Sequence, residues 1–283
     1  MRLTFLGVRG STPAPGPEYV RYGGHTVCVA VSADGSDRPT LALDAGTGLR
    51  NLTTMLGDEP YRGSILLSHL HWDHMQGLPF FTAGDRDDAE VDLYLPAQEG
   101  ASGHDLLARS MSPPTFPITP SGLHGAWSFE AIEPGTHRIG GFDVLAAQVR
   151  HKGGRTYGYR VSDGTVDVAY LPDHVAKGAA DDELEALIRG VDVLLHDAQF
   201  LESERRFADA YGHSTVDDAV SVAHRLDAHT LVLFHHGPSR TDAQLDEILT
   251  RLRAPMPVVM AAEGQVLDLS GGPPTASPMP RQG

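Results

Sequence analysis

The sequence predicts an α+β protein in which layered β-sheets carry helices on their outer faces. Three observations predict it. Short apolar runs punctuated by Gly and Pro recur along the chain, as strands require; only three segments read clearly as helices; and strands and helices do not alternate in a clean βαβ rhythm. With 283 residues, 41% hydrophobic and 21% charged, the chain suits one large domain or two small ones. No composition shift marks a boundary, so one domain over 1–270 is expected.

In chain order, the apolar runs predict strands at Arg2–Leu6, Val27–Val31, Thr40–Leu43, Ser64–Leu67, Val91–Leu95, Phe142–Val149, Tyr157–Val161, Val166–Leu171, Val191–Leu195, Thr230–Phe234 and Gln265–Leu269. The first helix is expected over Asp181–Arg189, with acids in its first turn and Gly190 just beyond its end. The second runs from Val216 to Leu226. Its apolar residues Val216, Ala219, Val220, Ala223 and Leu226 share one face, and Ser214 or Thr215 caps it. The third is Asp242–Arg253, with Leu245, Ile248, Leu249 and Leu252 inward and Pro255 ending it. Residues 99–126 are rich in Ser, Pro and Gly without a period and read as an insertion or loop, either a lid or a homodimer contact. Residues 271–283 read as a disordered tail.

Composition excludes several classes. Lys and Arg number 22 against 37 Asp and Glu, a net charge of −15, which disfavours a duplex nucleic-acid surface. No stretch reaches the roughly 18 uninterrupted apolar residues of a membrane span, so no membrane partner is expected. The first ten residues lack the features of a signal peptide, so a cytoplasmic location is expected. The single cysteine, Cys28, excludes an internal disulfide and reads as a small core residue. The unusual count is 15 histidines.

Three of them stand in the strongest local signal, a run of six residues. His69-Leu70-His71-Trp72-Asp73-His74 follows the apolar run 64–68. On an extended backbone His69 and His71 point the same way, while Leu70 and Trp72 point back toward packing. A turn must then bring Asp73 and His74 to the same place. Three imidazoles and a carboxylate suit a borderline divalent ion such as Zn²⁺.

That motif resembles the signature of the metallo-β-lactamase superfamily, and the resemblance continues along the chain. Asp44-Ala-Gly-Thr-Gly48 is similar to the family's Asp-x-Gly element. His151 followed by Tyr157-Gly-Tyr-Arg160 resembles its next ligand and strand, and Leu171-Pro-Asp173 stands where its bridging aspartate stands. His196-Asp-Ala-Gln-Phe200 resembles a segment of tRNA 3′-processing ribonucleases. Gly212-His-Ser-Thr215 matches an element of the phosphodiesterase branch, which places its last ligand at Phe234-His-His236. Gly7-Val-Arg-Gly-Ser-Thr12 and Gly23-Gly-His-Thr26 are similar to bacterial phosphoribosyl cyclic phosphodiesterases, except that His25 replaces an expected Asn.

The resemblance implies an αββα four-layer sandwich holding two divalent metal ions, Zn²⁺ ahead of Mn²⁺. By position, His69, His71 and His151 take one ion, Asp73, His74 and His235 the other, and Asp173 bridges them. Two ions about 3.5–4 Å apart can hold a hydroxide that attacks phosphorus. Asp73 thus belongs to the catalytic set, and His213 is expected to act as a general acid toward the leaving oxygen. Between the adjacent histidines, strand alternation groups His235 with Leu231 and Leu233 and agrees with the resemblance. Asp44, Asp197 and His196 are expected to support ligands from behind. His174 reads equally as such a support or as a surface residue, and His104, His124 and His137 as surface positions. The expected activity is hydrolysis of a small cyclic or linear phosphodiester. Lactone or thioester hydrolysis, tRNA 3′ processing and a non-catalytic metal-bound sensor are the alternatives. Residues 161–172 leave no space for the long arm of the tRNA enzymes.

Overall fold

The computed structural model describes residues 1–57, 59–176, 182–270 and 275–276. Along the chain run β1 (Arg2–Gly7), β2 (Cys28–Ser32), β3 (Leu41–Leu43), α1 (Arg50–Leu56), β4 (Arg62–Leu66), α2 (Trp72–Met75), β5 (Glu90–Pro96), α3 (Gly103–Ala108) and β6 (Ala126–Ile132). Then follow β7 (Gly135–Ile139), β8 (Phe142–Val149), β9 (Thr156–Ser162), β10 (Asp167–Leu171), α4 (Asp182–Ile188), β11 (Val193–Asp197), α5 (Arg205–Tyr211), α6 (Val216–Arg225), β12 (Thr230–Phe234), α7 (Asp242–Arg251), β13 (Val258–Met260), β14 (Val266–Asp268) and β15 (Thr275–Ala276).

The strands form two sheets, ordered β15-β14-β1-β2-β3-β4-β5-β6 and β13-β12-β11-β10-β9-β8-β7. The two are built alike. Antiparallel pairing runs through β15-β14-β1-β2-β3 and through β7-β8-β9-β10, and parallel pairing completes each sheet through β3-β4-β5-β6 and β10-β11-β12-β13. Parallel neighbours need long crossovers, and α1, α3, α4, α6 and α7 lie in those connections.

Alternation along the strands divides the apolar side chains among three cores. Leu41 and Leu43 of β3 face the other sheet, meeting Tyr159, Tyr170, Val232 and Phe234 in the central core. Leu231 and Leu233 of β12 point outward beneath α4, α6 and α7, where Leu187, Ala219 and Leu245 cover them. Ile65 and Leu93 point outward from the first sheet toward Leu52 of α1, Met75 of α2 and Leu106 of α3. Three cores between four layers make the αββα sandwich. Its central strands are buried on both faces, which is why they read as continuous apolar runs. Cys28 is buried on β2, and among the described residues no helix is long and apolar enough to cross a membrane.

Several expectations change. Helix α4 begins at Asp182, and Asp181 lies outside the described residues. Thr215, not Ser214, caps α6: its Oγ1 accepts the Asp218 N–H at 3.2 Å while Asp218 Oδ2 accepts the Thr215 N–H at 3.0 Å. Helix α7 stops at Arg251, and Leu249, expected inward, is exposed. Residues 99–126 are not merely loop. Ser102 Oγ accepts the Asp105 N–H at 3.1 Å and starts α3, whose Leu106 and Leu107 are buried against the first sheet. Strands β6, β7 and β13 carry too many half-exposed residues to stand out as apolar runs. Of the expected tail, Thr275–Ala276 pairs with β14, and 271–274 and 277–283 lie outside the described residues.

Candidate metal centre

The candidate residues collect where parallel strands of both sheets end at their C-terminal edges, the usual place for a site in such sheets. Past β3 the chain turns at Asp44, whose φ of 57° swings its carboxylate beneath the loop after β4. That loop is pinned to both sheets: Leu67 N–H donates to Tyr94 O at 2.9 Å, Tyr157 N–H to Ser68 O at 2.9 Å, and Tyr159 Oη to Leu67 O at 2.6 Å. His69 and His71 leave it before α2, a single turn that gathers Asp73 and His74. His151 follows β8, Asp173 follows β10, Asp197 ends β11 and His235 follows β12.

These residues surround Asp173. Its Oδ2 lies 3.3 Å from Nε2 of His69 and of His151 and 3.5 Å from Nε2 of His74, and its Oδ1 lies 2.8 Å from Nε2 of His235. Asp73 Oδ2 is 3.3 Å from Nε2 of both His74 and His235. His71 joins through Nδ1, 3.3 Å from His151 Nε2. Ligand-capable atoms of His69, His71, His151 and Asp173 lie within 4.8 Å of one another, as do those of Asp73, His74 and His235. The structure therefore brings all seven expected ligand positions together.

The polar bookkeeping fits a cation. Nε2 of His69 and of His74 are buried without a hydrogen-bond partner, an arrangement that proteins avoid unless another group completes it. The opposite ring nitrogens are held. His74 Nδ1 lies 2.8 Å from Asp44 Oδ2, His151 Nδ1 2.6 Å from the Gly212 carbonyl, and His69 Nδ1 3.1 Å from Ser68 Oγ. A proton on Nδ1 of His74 and His151 leaves the Nε2 lone pairs facing the cluster. Burial pushes His69 and His151 down to about 4, which keeps both rings neutral. Burial opposes charge on Asp73 and Asp173 too, yet His74 and His235 hold both carboxyls well below the usual range. Among the histidines, burial opposes protonation of His235, and Asp173 and Asp73 overcome it, raising His235 to about 10.

His235 sits in the cluster for a reason other than strand alternation. Leu231 and Leu233, with which the sequence grouped it, face the outer core, and β12 ends at Phe234. The chain is then gripped by residues 8–10: His236 N–H donates to Val8 O, and Gly10 N–H donates to His236 O, both at 2.9 Å. His235 takes φ 58° and swings into the site. Gly10 makes this possible, because a Cβ there would lie 2.3 Å from the His235 ring. His236 instead approaches Ala261 O at 2.9 Å through Nε2, and burial lowers it to about 3.

His213 stands beside the cluster without entering the seven. Its Nδ1 is 2.9 Å from Asp197 Oδ2, and its ring stacks on His235 at 5.3 Å. Burial disfavours its charge, but Asp197 outweighs burial and raises it. Asp173, Asp197, His213 and His235 also present ligand-capable atoms within 4.8 Å. Asp197 is already committed, however: Oδ2 also accepts the His174 and Ser214 N–H groups at 3.2 Å, and Oδ1 accepts that of Gln199 at 3.0 Å. His174 is buried, its Nδ1 3.0 Å from His196 Nε2, which removes it from the surface. His25, by contrast, lies outside the cluster with Nδ1 3.1 Å from Thr47 Oγ1.

One expectation is overturned: Trp72 does not point back into packing. Helix α2 starts there, and Trp72 is 75% exposed. With Ser11, Leu70, His71, Asp73, Asp173 and His213 it lines a pocket of about 390 Å³ over the cluster. Sequence reasoning also missed Ser11, whose N–H donates to Asp73 Oδ2 at 2.6 Å, and Ser68 and Tyr170, whose hydroxyls each reach Asp44 Oδ2 at 2.8 Å. A backbone donor has no sequence signature. Tyr170 was hidden inside an apolar strand.

The profile of the beta-lactamase superfamily domain matches residues 40–236, and the chain belongs to that family. It is a metal-dependent hydrolase with the metallo-β-lactamase fold. Ribonuclease Z of Natronomonas pharaonis is 26% identical over 283 aligned positions that span 83% of this chain and 86% of that protein. Two solved structures share the fold. The metallo-β-lactamase fold protein YhfI of Bacillus subtilis superposes with a TM-score of 0.71 at 18% identity, covering 94% of this chain and 99% of its own. A diphosphatase of the PhnP family does so at 0.67 and 23%, covering 94% and 97%.

Proposed function

We propose that this protein is a dinuclear phosphodiesterase that hydrolyses a small cyclic or linear phosphodiester. The position of Asp173 carries the reading: its two oxygens lie between the His69/His71/His151 group and the Asp73/His74/His235 group. His69, His71 and His151 would hold one ion and Asp73, His74 and His235 the other, with Asp173 available to both, and the imidazole-rich donor set favours Zn²⁺ over Mn²⁺. Such a pair supplies Lewis acidity toward the phosphoryl oxygens and lowers the pKa of water.

The chain's own residues do the rest. Asp73 and Asp173 offset the positive charge, and the Ser11 N–H fixes the Asp73 carboxylate. Asp44 orients His74, and the Gly212 carbonyl orients His151. Asp197 holds Nδ1 of His213, so that Nε2 is the atom that delivers a proton to the leaving oxygen. The pocket admits a small diester beside this imidazole.

Cleavage of a tRNA precursor is the second reading, favoured by relatives named ribonuclease Z. It is weakened here because β9 and β10 are joined by a tight turn, with Ser162 opposite Asp167, which leaves no protruding arm. Metal analysis of the purified protein, followed by assay on bis(p-nitrophenyl) phosphate, cyclic nucleotides, a lactone, a thioester and a tRNA precursor, tests the proposal. About two equivalents of metal and turnover confined to small diesters are expected. Full activity in chelator, or preference for the lactone, thioester or tRNA, refutes it.

A further inference from the structure

A second cavity, of about 350 Å³, lies beside the metal centre and shares Trp72 with its pocket. Its lining is unlike the first. Trp72, Met75, Phe80, Met111 and Phe116 line it together with Arg109. Trp72 is 75% and Phe80 63% exposed, and Phe80 meets Phe116 edge to face at 6.0 Å. Large aromatic rings left this open and adjacent are unusual on a soluble surface and mark a binding surface. One wall comes from α2, the turn that carries Asp73 and His74. The other comes from residues 109–116, within the Ser-, Pro- and Gly-rich stretch 99–126.

We propose that this groove is a subsite for a flat aromatic or heterocyclic ring carried by the diester itself, such as a nucleobase. This rests on the phosphodiesterase reading and narrows its substrate class. Continuity argues for it: a phosphate over Asp173 places an attached group at Trp72, the shared wall. Ring faces and two thioethers attract a π-system, and the Arg109 guanidinium attracts the anionic diester that carries it. A solvent-exposed aliphatic group would gain less, since stacking of a base on an aromatic side chain changes affinity by about five- to a hundredfold.

Calorimetric titration of the metal-loaded full chain with thymidine 5′-monophosphate and with methyl phosphate tests the groove directly. The nucleotide is expected to bind at least about tenfold more tightly. Phe80→Ala, which truncates a ring already largely in water, and Phe116→Ala should each remove most of that preference. Equal affinity for the two ligands, or an unchanged preference in both variants, overturns the proposal. So does a switch in molecular mass in Phe80→Ala with ligand preference intact, which would make the groove a contact between copies. Turnover of methyl p-nitrophenyl phosphate reports separately on the phosphodiesterase reading. Its absence alongside a retained nucleotide preference would refute the activity and leave the groove standing.

Discussion

Asp44→Asn is the sharpest perturbation of the centre, because it changes one atom and no volume. Asp44 is fully buried and accepts four contacts: Ser68 N–H at Oδ1 (2.7 Å), and Ser68 Oγ, Tyr170 Oη and His74 Nδ1 at Oδ2 (each 2.8 Å). Asn tolerates the left-handed φ of this position. If the new amide keeps its oxygen on Ser68 N–H, its NH₂ replaces Oδ2. The two hydroxyls can rotate to accept, but His74 must offer a lone pair at Nδ1. Its proton then sits on Nε2, the atom that faces Asp73 and Asp173. If the amide turns the other way, a donor faces the buried Ser68 N–H, at a cost of about 1–3 kcal/mol. In the first orientation, loss of an outer hydrogen bond to a ligand lowers metal affinity about 10–100-fold, ~1.4–2.7 kcal/mol. Chelator competition and metal analysis read the first outcome, and thermal melting of the metal-free protein reads the second. Unchanged affinity together with an unchanged melting temperature would show that Asp44 does not orient His74.

The remaining predictions address other residues. His213→Ala should keep both metals and slow an alkyl phosphodiester by roughly 10²–10⁴-fold, with a much smaller loss on a p-nitrophenyl ester, whose leaving group needs little protonation; equal losses on both would refute the acid role. His235→Ala should lose metal and turnover, whereas His236→Ala should keep its metal and lose about 1–3 kcal/mol of stability through the unpaired Ala261 carbonyl and the vacated space; elemental analysis and melting curves separate them. Burial raises Glu263 from 4.5 to about 7. Its folded form therefore holds a proton that the unfolded chain releases, so this contribution is full below about pH 4.5 and is lost as pH rises through about 7, by about 3 kcal/mol in all. Urea unfolding from pH 4.5 to 8 should show that decline in the parent protein and a flatter profile in Glu263→Gln; identical profiles would contradict it.

The sequence by itself determined which residue types meet at the candidate centre. Imidazoles and carboxylates at chelating spacing are scarce in a random chain, and those of 69–74 are local enough to read directly. The resemblance carried the argument to His151, Asp173, His213 and His235, and the doubly buried strands announced themselves as apolar runs. Tertiary structure decided what depends on contacts between distant segments. His235 joins the cluster for a reason other than strand alternation, because alternation ceases to govern a side chain once the strand ends. Its direction comes from the backbone clasp of residues 8–10 and the missing Cβ of Gly10. Trp72 reversed its expected direction because a helical turn begins there. The Ser11 N–H and the Gly212 carbonyl took up their posts through backbone atoms that every residue possesses. A hydrogen bond to the main chain leaves no mark in the sequence, and a side chain's direction beyond a strand is set by whatever the fold brings against it.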